Sequence, residues 1–373
     1  MPVSEQTRIL MSIESCRYLS VCQGCHFEKM AYSEQLEIKK NHLAELFQNH
    51  QLQPPPIAIR SLGENYLRQR FDFTIHNGRM GLYSADREII DIESCQQVAS
   101  ELQKAFSDFR SIPFPIKKGS VRLRVGPSGL RGVWLDFANT DIKNLLDEKN
   151  TLERLWKLGF HIEIGQKGKV PIPGTESYKL SAPQPHVWFK TQDIPLKSLI
   201  LNFTQPSWNT ADALTEIILK WVSTLGTQLT VAEFGSGIGQ FTLPLLASGH
   251  NVDSFESHIL ATELLRLNAT DSQLDKNLTI YCDDYHKKPL PSDLFYDVAV
   301  VNPPRSGLLQ FSDQLIRVKT KNVIYISCFP ESLIEDLEKL LASGYQIKEI
   351  QIVDQFPQTK HYETCVLLER IDF

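Results

Sequence analysis

From Ser33 to Phe47 (SEQLEIKKNHLAELF), Leu36, Leu43, Leu46 and Phe47 fall on one face at helical spacing, with Ser33 placed to cap. A helix is expected there, ended by Gln53-Pro54-Pro55-Pro56. From 57 to 190 the pattern shortens to what reads mostly as short strands and turns. RFDFTIHNGRMGLYS alternates around an Asn-Gly turn, and SVRLRVGPSGLRGVWLDF reads as two strands about Gly-Pro-Ser-Gly. After about residue 195 the texture changes. A helical run (ADALTEIILKWV) leads into VAEFGSGIGQF, and strand-like runs (NVDSFES, LTIYCDD, YDVAVVN, NVIYISC) then alternate with helix-like ones (ILATELLRLNA, ESLIEDLEKLLASG). QIKEIQIVDQF and ETCVLLERI close the chain as strands. Such alternation predicts a parallel sheet with helices on both faces. The expected fold class is therefore α/β: a doubly wound, Rossmann-like domain over 191–373, preceded by a β-rich α+β region over 1–190. There is no internal repeat and no low-complexity tract.

Composition narrows the class. The chain has 373 residues and a net charge of −5, so no global basic field attracts nucleic acid. Any RNA contact must be a local patch. Arg68, Arg70, Lys117, Lys118, Arg122, Arg124 and Arg131 are expected to be exposed on strands; they are either solvated faces or that patch, with Arg122 and Arg124 its test case. No run of eighteen apolar residues suggests a membrane span. The opening MPVSEQTRILMSIES lacks the layout of a signal peptide, so a cytoplasmic, reducing setting is expected. There, clustered cysteines more often hold metals or do chemistry than form disulfides. Three of the seven cysteines, Cys16, Cys22 and Cys25, lie within CRYLSVCQGC.

VAEFGSGIGQF is a strand, three glycines (Gly235, Gly237, Gly239) and a helix, the turn that lets a ligand approach the backbone at a strand's carboxyl end. Alone it would equally suit a dinucleotide. The next strand ends in Glu256, an acid suited to both ribose hydroxyls. Glu233 before the glycines, Asp284 in YCDD facing the adenine, and VNPPRSG at the end of the fourth strand favour S-adenosylmethionine over a nicotinamide. Cys328 ends the strand VIYISC on the same edge, where a nucleophile would stand, although a free cysteine is commonly just buried packing.

In chain order, CRYLSVCQGC, IIDIESC, NFTQPSWNTADAL, EFGSGIGQFTLPL, VNPPRSG, ISCFPESL and DQFPQTKHYETCVLL resemble the S-adenosylmethionine-dependent RNA uracil-5-methyltransferases. The resemblance spans nearly the whole chain and implies roles at matched positions. Cys328 would add to carbon 6 of the target uracil, and Glu363 would remove the carbon 5 proton after methyl transfer. Gln205, Phe234, Gln240, Glu256 and Asn302, with Asp284, would contact the donor or the base. The chemistry fits these residue types: carbon 5 attacks a sulfonium methyl only once thiolate addition has made it electron-rich, and a carboxylate must then free the product. The target base must also leave its stack. One departure stands out: the family usually has Asn after the nucleophile, where this chain has Phe329.

With Cys328 assigned to catalysis and Cys282 and Cys365 expected within strands of the sheet, Cys95 in IIDIESC is the natural fourth partner of Cys16, Cys22 and Cys25. It matches the position from which family members ligate a [4Fe-4S] cluster. Four thiolates also suit zinc, but the resemblance favours iron–sulfur. Many members carry a further small N-terminal β-barrel, which is not expected here because the cysteine motif stands so near the first residue. Short, cluster-bearing members act on large-subunit ribosomal RNA and some archaeal ones on tRNA, so ribosomal RNA is the favoured partner, with tRNA the alternative. No membrane and no obligate protein partner is expected, and the chain is expected to be a monomer. Two rivals are an amino-group methyltransferase, which would place an aromatic residue where Arg305 follows NPP, and an RNA-docking iron–sulfur protein without turnover.

Overall fold

The computed structural model describes residues 16–27, 30–174, 176–285, 287–288, 290, 295–318 and 320–371. The first fifteen residues, read above for a signal peptide, lie outside them. Helix α1 (Tyr32–Asn49) starts one residue before and ends two residues after the expected span, and its capping position is Ala31 rather than Ser33. The Ala31 N–H donates to the Glu34 carboxylate at 3.2 Å, the reciprocal half of a capping box. The face it buries is Gln35, Lys39, Leu43 and Phe47, half of it polar. Strand β1 (Ile57–Ser61) follows.

A six-stranded sheet comes next among the described residues, ordered β4-β3-β2-β5-β6-β7. It is built from β2 (Arg70–His76), β3 (Arg79–Tyr83), β4 (Ile89–Asp91), β5 (Lys118–Val125), β6 (Arg131–Phe137) and β7 (Phe160–Ile164). Both expected hairpins are present, β2–β3 turning on Asn77 (φ 51°) and Gly78 (φ 77°), and β5–β6 paired from Val125↔Arg131 onward. Three helices that the strand reading passed over, α2 (Ser100–Arg110), α3 (Asn139–Glu148) and α4 (Asn150–Lys157), supply buried residues to this sheet's core, among them Phe106, Phe109, Leu145 and Leu155. The Phe106 ring meets Phe71 and Phe73 edge-on at 5.1 and 5.0 Å. Two small antiparallel pairs lead out of the sheet: β8 (Val170–Ile172) with β9 (Lys179–Ser181), and β10 (His186–Thr191) with β11 (Ile194–Ser198).

Beyond them lies the expected α/β layer: α5 (Trp208–Leu225), β12 (Thr230–Phe234), α6 (Thr242–Ala247), β13 (Asn251–Phe255), α7 (Ile259–Asp271), β14 (Leu278–Tyr281), β15 (Val298–Val301), α8 (Phe311–Arg317), β16 (Asn322–Ser327), α9 (Pro330–Ala342), β17 (Tyr345–Asp354) and β18 (Glu363–Arg370). Its strand order is β1-β17-β18-β16-β15-β12-β13-β14. All of β15 is buried, because Val298 and Val300 face the core under α5, α6 and α7 while Ala299 and Val301 face that under α1, α8 and α9. The sheet departs from the all-parallel expectation at its end. No helix joins β17 to β18, so the chain reverses and β18 runs antiparallel to both neighbours. Strand β1 pairs parallel with β17, so α1 and β1 belong to this sheet although they precede the other. No helix among the described residues is long and apolar enough to cross a membrane.

Candidate active site

The winding of the large sheet reverses between β12 and β15, and a crevice is expected at the carboxyl ends of those strands. A cavity of ≈ 700 Å³ opens there. Gly235 and Gly237 reach it from the end of β12, Glu256 from β13, Asp284 from beyond β14, and Asn302 and Arg305 from beyond β15. Cys328 enters from the end of β16, Glu363 is the first residue of β18, and Gln205 comes from the segment before α5. Eight of the residues singled out by sequence thus line one cavity.

The glycines are needed where they stand. Gly235 (φ 81°) and Gly239 (φ 102°) lie in the left-handed region, and a Cβ on Gly239 would sit 2.7 Å from Leu265 Cδ1. The Glu256 carboxylate holds this turn, accepting the N–H of Gly237 at 3.0 Å and that of His258 at 2.8 Å. Gln240 lines an adjoining recess of ≈ 60 Å³ with Gln205, Gly235 and Asn302, and its side-chain nitrogen is buried with no hydrogen-bond partner. A buried donor without an acceptor is costly, which suits a site that a polar ligand completes.

Two residues lie differently. Phe234 does not line the cavity: its ring is buried, stacked on Phe255 at 4.7 Å and tilted against Phe311 at 4.6 Å, as the floor beneath the turn. Glu233 is buried behind it, and the Thr242 hydroxyl donates to its carboxylate at 2.5 Å. Burial pushes the Glu233 carboxyl up to about 8.

At the other end of the cavity Glu363 is buried, which raises its carboxyl to about 8, while the nearby Arg305 guanidinium pulls it down. The Gln355 amide donates to Glu363 Oε1 at 2.7 Å. The Cys328 thiol is raised first by burial and then by the Glu363 charge, and Arg305 opposes both by charge and by hydrogen bonding. Arg305 is therefore the group that favours the thiolate. Sequence reading weighed it only as the absence of an aromatic after NPP. The loop bearing it is held by the Asp336 carboxylate of α9, which accepts the Leu308 N–H at 2.6 Å and the Tyr325 hydroxyl at 2.7 Å. Exposed Phe203 and buried Tyr285 also line the cavity and were missed: Phe203 stands in NFTQPSWNTADAL, where only Gln205 was given a role, and Tyr285 directly follows LTIYCDD.

Of the basic positions expected to be exposed, Lys117 and Lys118 are, but the arginines are not. Arg124 is buried, and its guanidinium donates to Ser198 Oγ, Leu199 O, Asn202 O and Thr204 Oγ1 at 3.3, 3.4, 2.8 and 3.1 Å. Arg122 donates to Asp72 and to Leu201 O at 2.5 and 2.6 Å, and Arg70 to Thr204 O at 2.7 Å. Arg68 lines a cavity among the cysteines. Arg70, Arg122 and Arg124 bind the chain's own backbone because their strand face meets the 198–204 segment rather than solvent.

Cys16, Cys22, Cys25 and Cys95 all line a second cavity, of ≈ 270 Å³. Burial pushes the Cys25 thiol up to about 12 and raises that of Cys95, while neighbouring Arg68 pulls both down. Among the described residues, no group of three or more His, Cys, Asp or Glu side chains stands in the arrangement of a metal-ion site. Of the cysteines expected within strands, Cys365 is buried in β18, but Cys282 is exposed just past β14, because that strand is the sheet's edge and ends at Tyr281.

A family model described as tRNA (Uracil-5-)-methyltransferase matches residues 291–371, and one described as Methyltransferase small domain matches 204–318. An uncharacterized RNA methyltransferase of Bdellovibrio bacteriovorus is 43% identical over 370 residues, covering 95% of each chain. A 23S rRNA (uracil(1939)-C(5))-methyltransferase of Marinomonas sp. is 26% identical, over 95% of this chain and 80% of that one. Among solved structures, the Pyrococcus abyssi tRNA (uracil-54, C5)-methyltransferase in complex with S-adenosyl-L-homocysteine has a TM-score of 0.68 at 21% identity, over 93% of this chain and 86% of that one, and so shares its fold.

Proposed function

The chain belongs to the RNA uracil-5-methyltransferase family, and on that premise we propose that it moves a methyl group from S-adenosylmethionine to carbon 5 of a uridine in structured RNA, by way of a covalent adduct on Cys328. The observation that carries this reading is the single cavity shared by the glycine turn, Glu256, Asn302, Cys328 and Glu363. Glu256 would exchange its backbone bonds for ribose hydroxyls, Asp284 would face the adenine, and the unpartnered Gln240 nitrogen would find its acceptor on the donor. Arg305 stabilises the Cys328 thiolate, which adds to carbon 6 of a base flipped into the cavity. The resulting enolate carbon takes the methyl group. Glu363, ionised, then removes the carbon 5 proton, and elimination returns the thiol.

The cysteine cavity suits a [4Fe-4S] cluster held by Cys16, Cys22, Cys25 and Cys95: four soft donors surround a space larger than one ion needs. When bound, such a group cross-links the 16–25 loop to the turn after β4. On this reading the N-terminal 1–190 region grips RNA while 191–373 carries the chemistry, and the protein works in the cytoplasm as a monomer. Large-subunit ribosomal RNA is the substrate best supported, by relatives that align over 95% of this chain.

Incubation with methyl-labelled S-adenosylmethionine and separate pools of unmodified ribosomal RNA and tRNA tests the assignment. Labelled 5-methyluridine in ribosomal RNA is expected. Label in tRNA alone would move the substrate, label on an amino group would overturn the mechanism, and no label would leave an RNA-docking protein.

A further inference from the structure

Glu363 is delivered by the 355–362 loop, which is tied from two sides. From α1, fully buried Gln35 grips Gln358 twice: its amide donates to Gln358 Oε1 at 3.0 Å, and the Gln358 N–H donates to Gln35 Oε1 at 2.9 Å. On the same helix face, Lys39 Nζ donates to Asp354 Oδ1 at 2.5 Å and to Phe356 O at 3.0 Å, and the His42 ring pairs with the Tyr362 hydroxyl at 2.8 Å. From the cysteine-bearing segment, the N–H groups of His26 and Phe27 both donate to Gln358 O, at 2.6 and 3.1 Å. Gln358 is held in the left-handed region (φ 63°) and itself lines the cysteine cavity. Arg68, on another wall of that cavity, lies over the Phe356 ring at 5.4 Å.

We propose that Gln35 and Gln358 are positioning residues for Glu363, and that Gln358 makes the packing of the cysteine segment set where that carboxylate stands. This rests on Glu363 being the base. Cys328 comes from β16, outside the loop, so loosening the loop spares addition to carbon 6 and methyl transfer. Proton removal is different, because a carboxylate displaced by about 1 Å can lose on the order of a hundredfold in rate. The signature is an adduct that forms normally and resolves slowly.

The test uses the full chain with Gln35→Leu and with Gln358→Gly, the latter keeping the left-handed backbone while deleting the amide. Both are expected to accumulate a covalent protein–RNA species on denaturing gels, resolving about tenfold or more slowly, with S-adenosylmethionine affinity unchanged. Gln35→Glu, which retains the acceptor for the Gln358 N–H, should recover part of the rate. Hydrogen exchange gives a readout apart from activity: the 355–362 amides should exchange faster in both variants, and in wild type after an iron chelator. Wild-type adduct lifetimes with unchanged exchange would overturn the proposal, as would parallel loss of donor binding and adduct formation. Exchange unmoved by the chelator would remove the link to the cysteine segment. If Glu363→Gln itself resolves adducts at the wild-type rate, the base assignment is what fails, and faster exchange in Gln35→Leu still upholds the tie.

Discussion

Cys328 and Glu363 line one cavity, in which the Glu363 charge disfavours the thiolate and Arg305 favours the charged form of both, and their proposed roles separate by mutation. Cys328→Ala has no route to the activated carbon and is expected to form no 5-methyluridine. Glu363→Gln should add and methylate but hold the product, visible as a protein–RNA band that survives denaturation; a 5-fluorouracil-containing RNA should trap wild type the same way, since fluorine cannot leave as a cation. Full activity in Cys328→Ala would sink the mechanism. The same carboxyl sets a pH dependence. At about 8 rather than its usual 4.5, Glu363 must lose its proton to act, so adduct resolution should accelerate as pH rises toward about 8 and level off above. Stability runs the other way. Glu233 and Glu363, both raised to about 8, bind protons more tightly folded than unfolded, so their contribution is complete below about 4.5 and is lost as pH rises through about 8. Denaturation midpoints should fall across that window, and Glu233→Gln should flatten the fall; an unchanged slope would mean Glu233 titrates normally. The sequence marked Cys328 and Glu363 because each stands in a dense motif. It was silent on Gln355 and on the role of Arg305, since each acts across a loop whose path no local pattern encodes. Phe329 is half-exposed at the first turn of α9, its N–H and carbonyl both bonded to the Ser327 hydroxyl.

Helix α1 shows how an element can be found correctly and placed incorrectly. Its apolar spacing announced a helix, yet the face it buries carries Gln35 and Lys39, which a search for apolar positions assigns to solvent. Lys39 is paired with Asp354 at 2.5 Å, both side chains fully buried, and the Tyr32 hydroxyl donates to the other Asp354 oxygen at 2.7 Å. Burial lowers the Lys39 ammonium while Asp354 raises it, so the pair stands only while both members are present. Lys39→Met alone strands a buried carboxylate and should cost about 3–5 kcal/mol, read from urea denaturation, whereas Lys39→Met with Asp354→Leu should recover much of that loss. A single mutant within 1 kcal/mol of wild type, a difference on the order of an exposed pair's worth, would show the pair to be hydrated. The missed α2, α3 and α4 have the same origin in reverse: flanked by clear hairpins, their short amphipathic runs were absorbed into a strand-rich reading. The reversal of β18 needed only the observation that nothing helical separates it from β17.

At the scale of the whole molecule, a change of texture after about residue 195 was legible, but the way the parts interlock was not, since β1 joins the large sheet from the other end of the chain. The 198–204 segment is one wall of the large cavity, contributing Leu201, Asn202 and Phe203, and it is fastened to the small sheet by Arg70, Arg122 and Arg124. The arginines on these strands were expected to be exposed, either as solvated faces or as a local RNA patch. Instead Arg124 is held at about 9 by burial and by its two arginine neighbours, and spends its donors on four backbone and hydroxyl oxygens of the segment that leads into Gln205. Replacing it with Met takes a donor from each of them: Leu199 O keeps the Asn202 N–H, Asn202 O keeps Arg122 and the Thr204 hydroxyl keeps Gln205 O, while Ser198 Oγ loses its partner, at a cost of about 1–3 kcal/mol where water cannot reach it. Arg124→Met is therefore expected to lower stability by about 1–3 kcal/mol and, through the loosened Gln205 wall, to weaken S-adenosylmethionine binding. The salt dependence of RNA binding should stay at its wild-type slope, because a buried guanidinium neutralises no phosphate. Calorimetry with the donor and a salt titration with RNA, on the same preparation, separate the two roles. Unchanged donor affinity together with a flattened salt slope would return Arg124 to the RNA surface and overturn its place in the joint between the sheets.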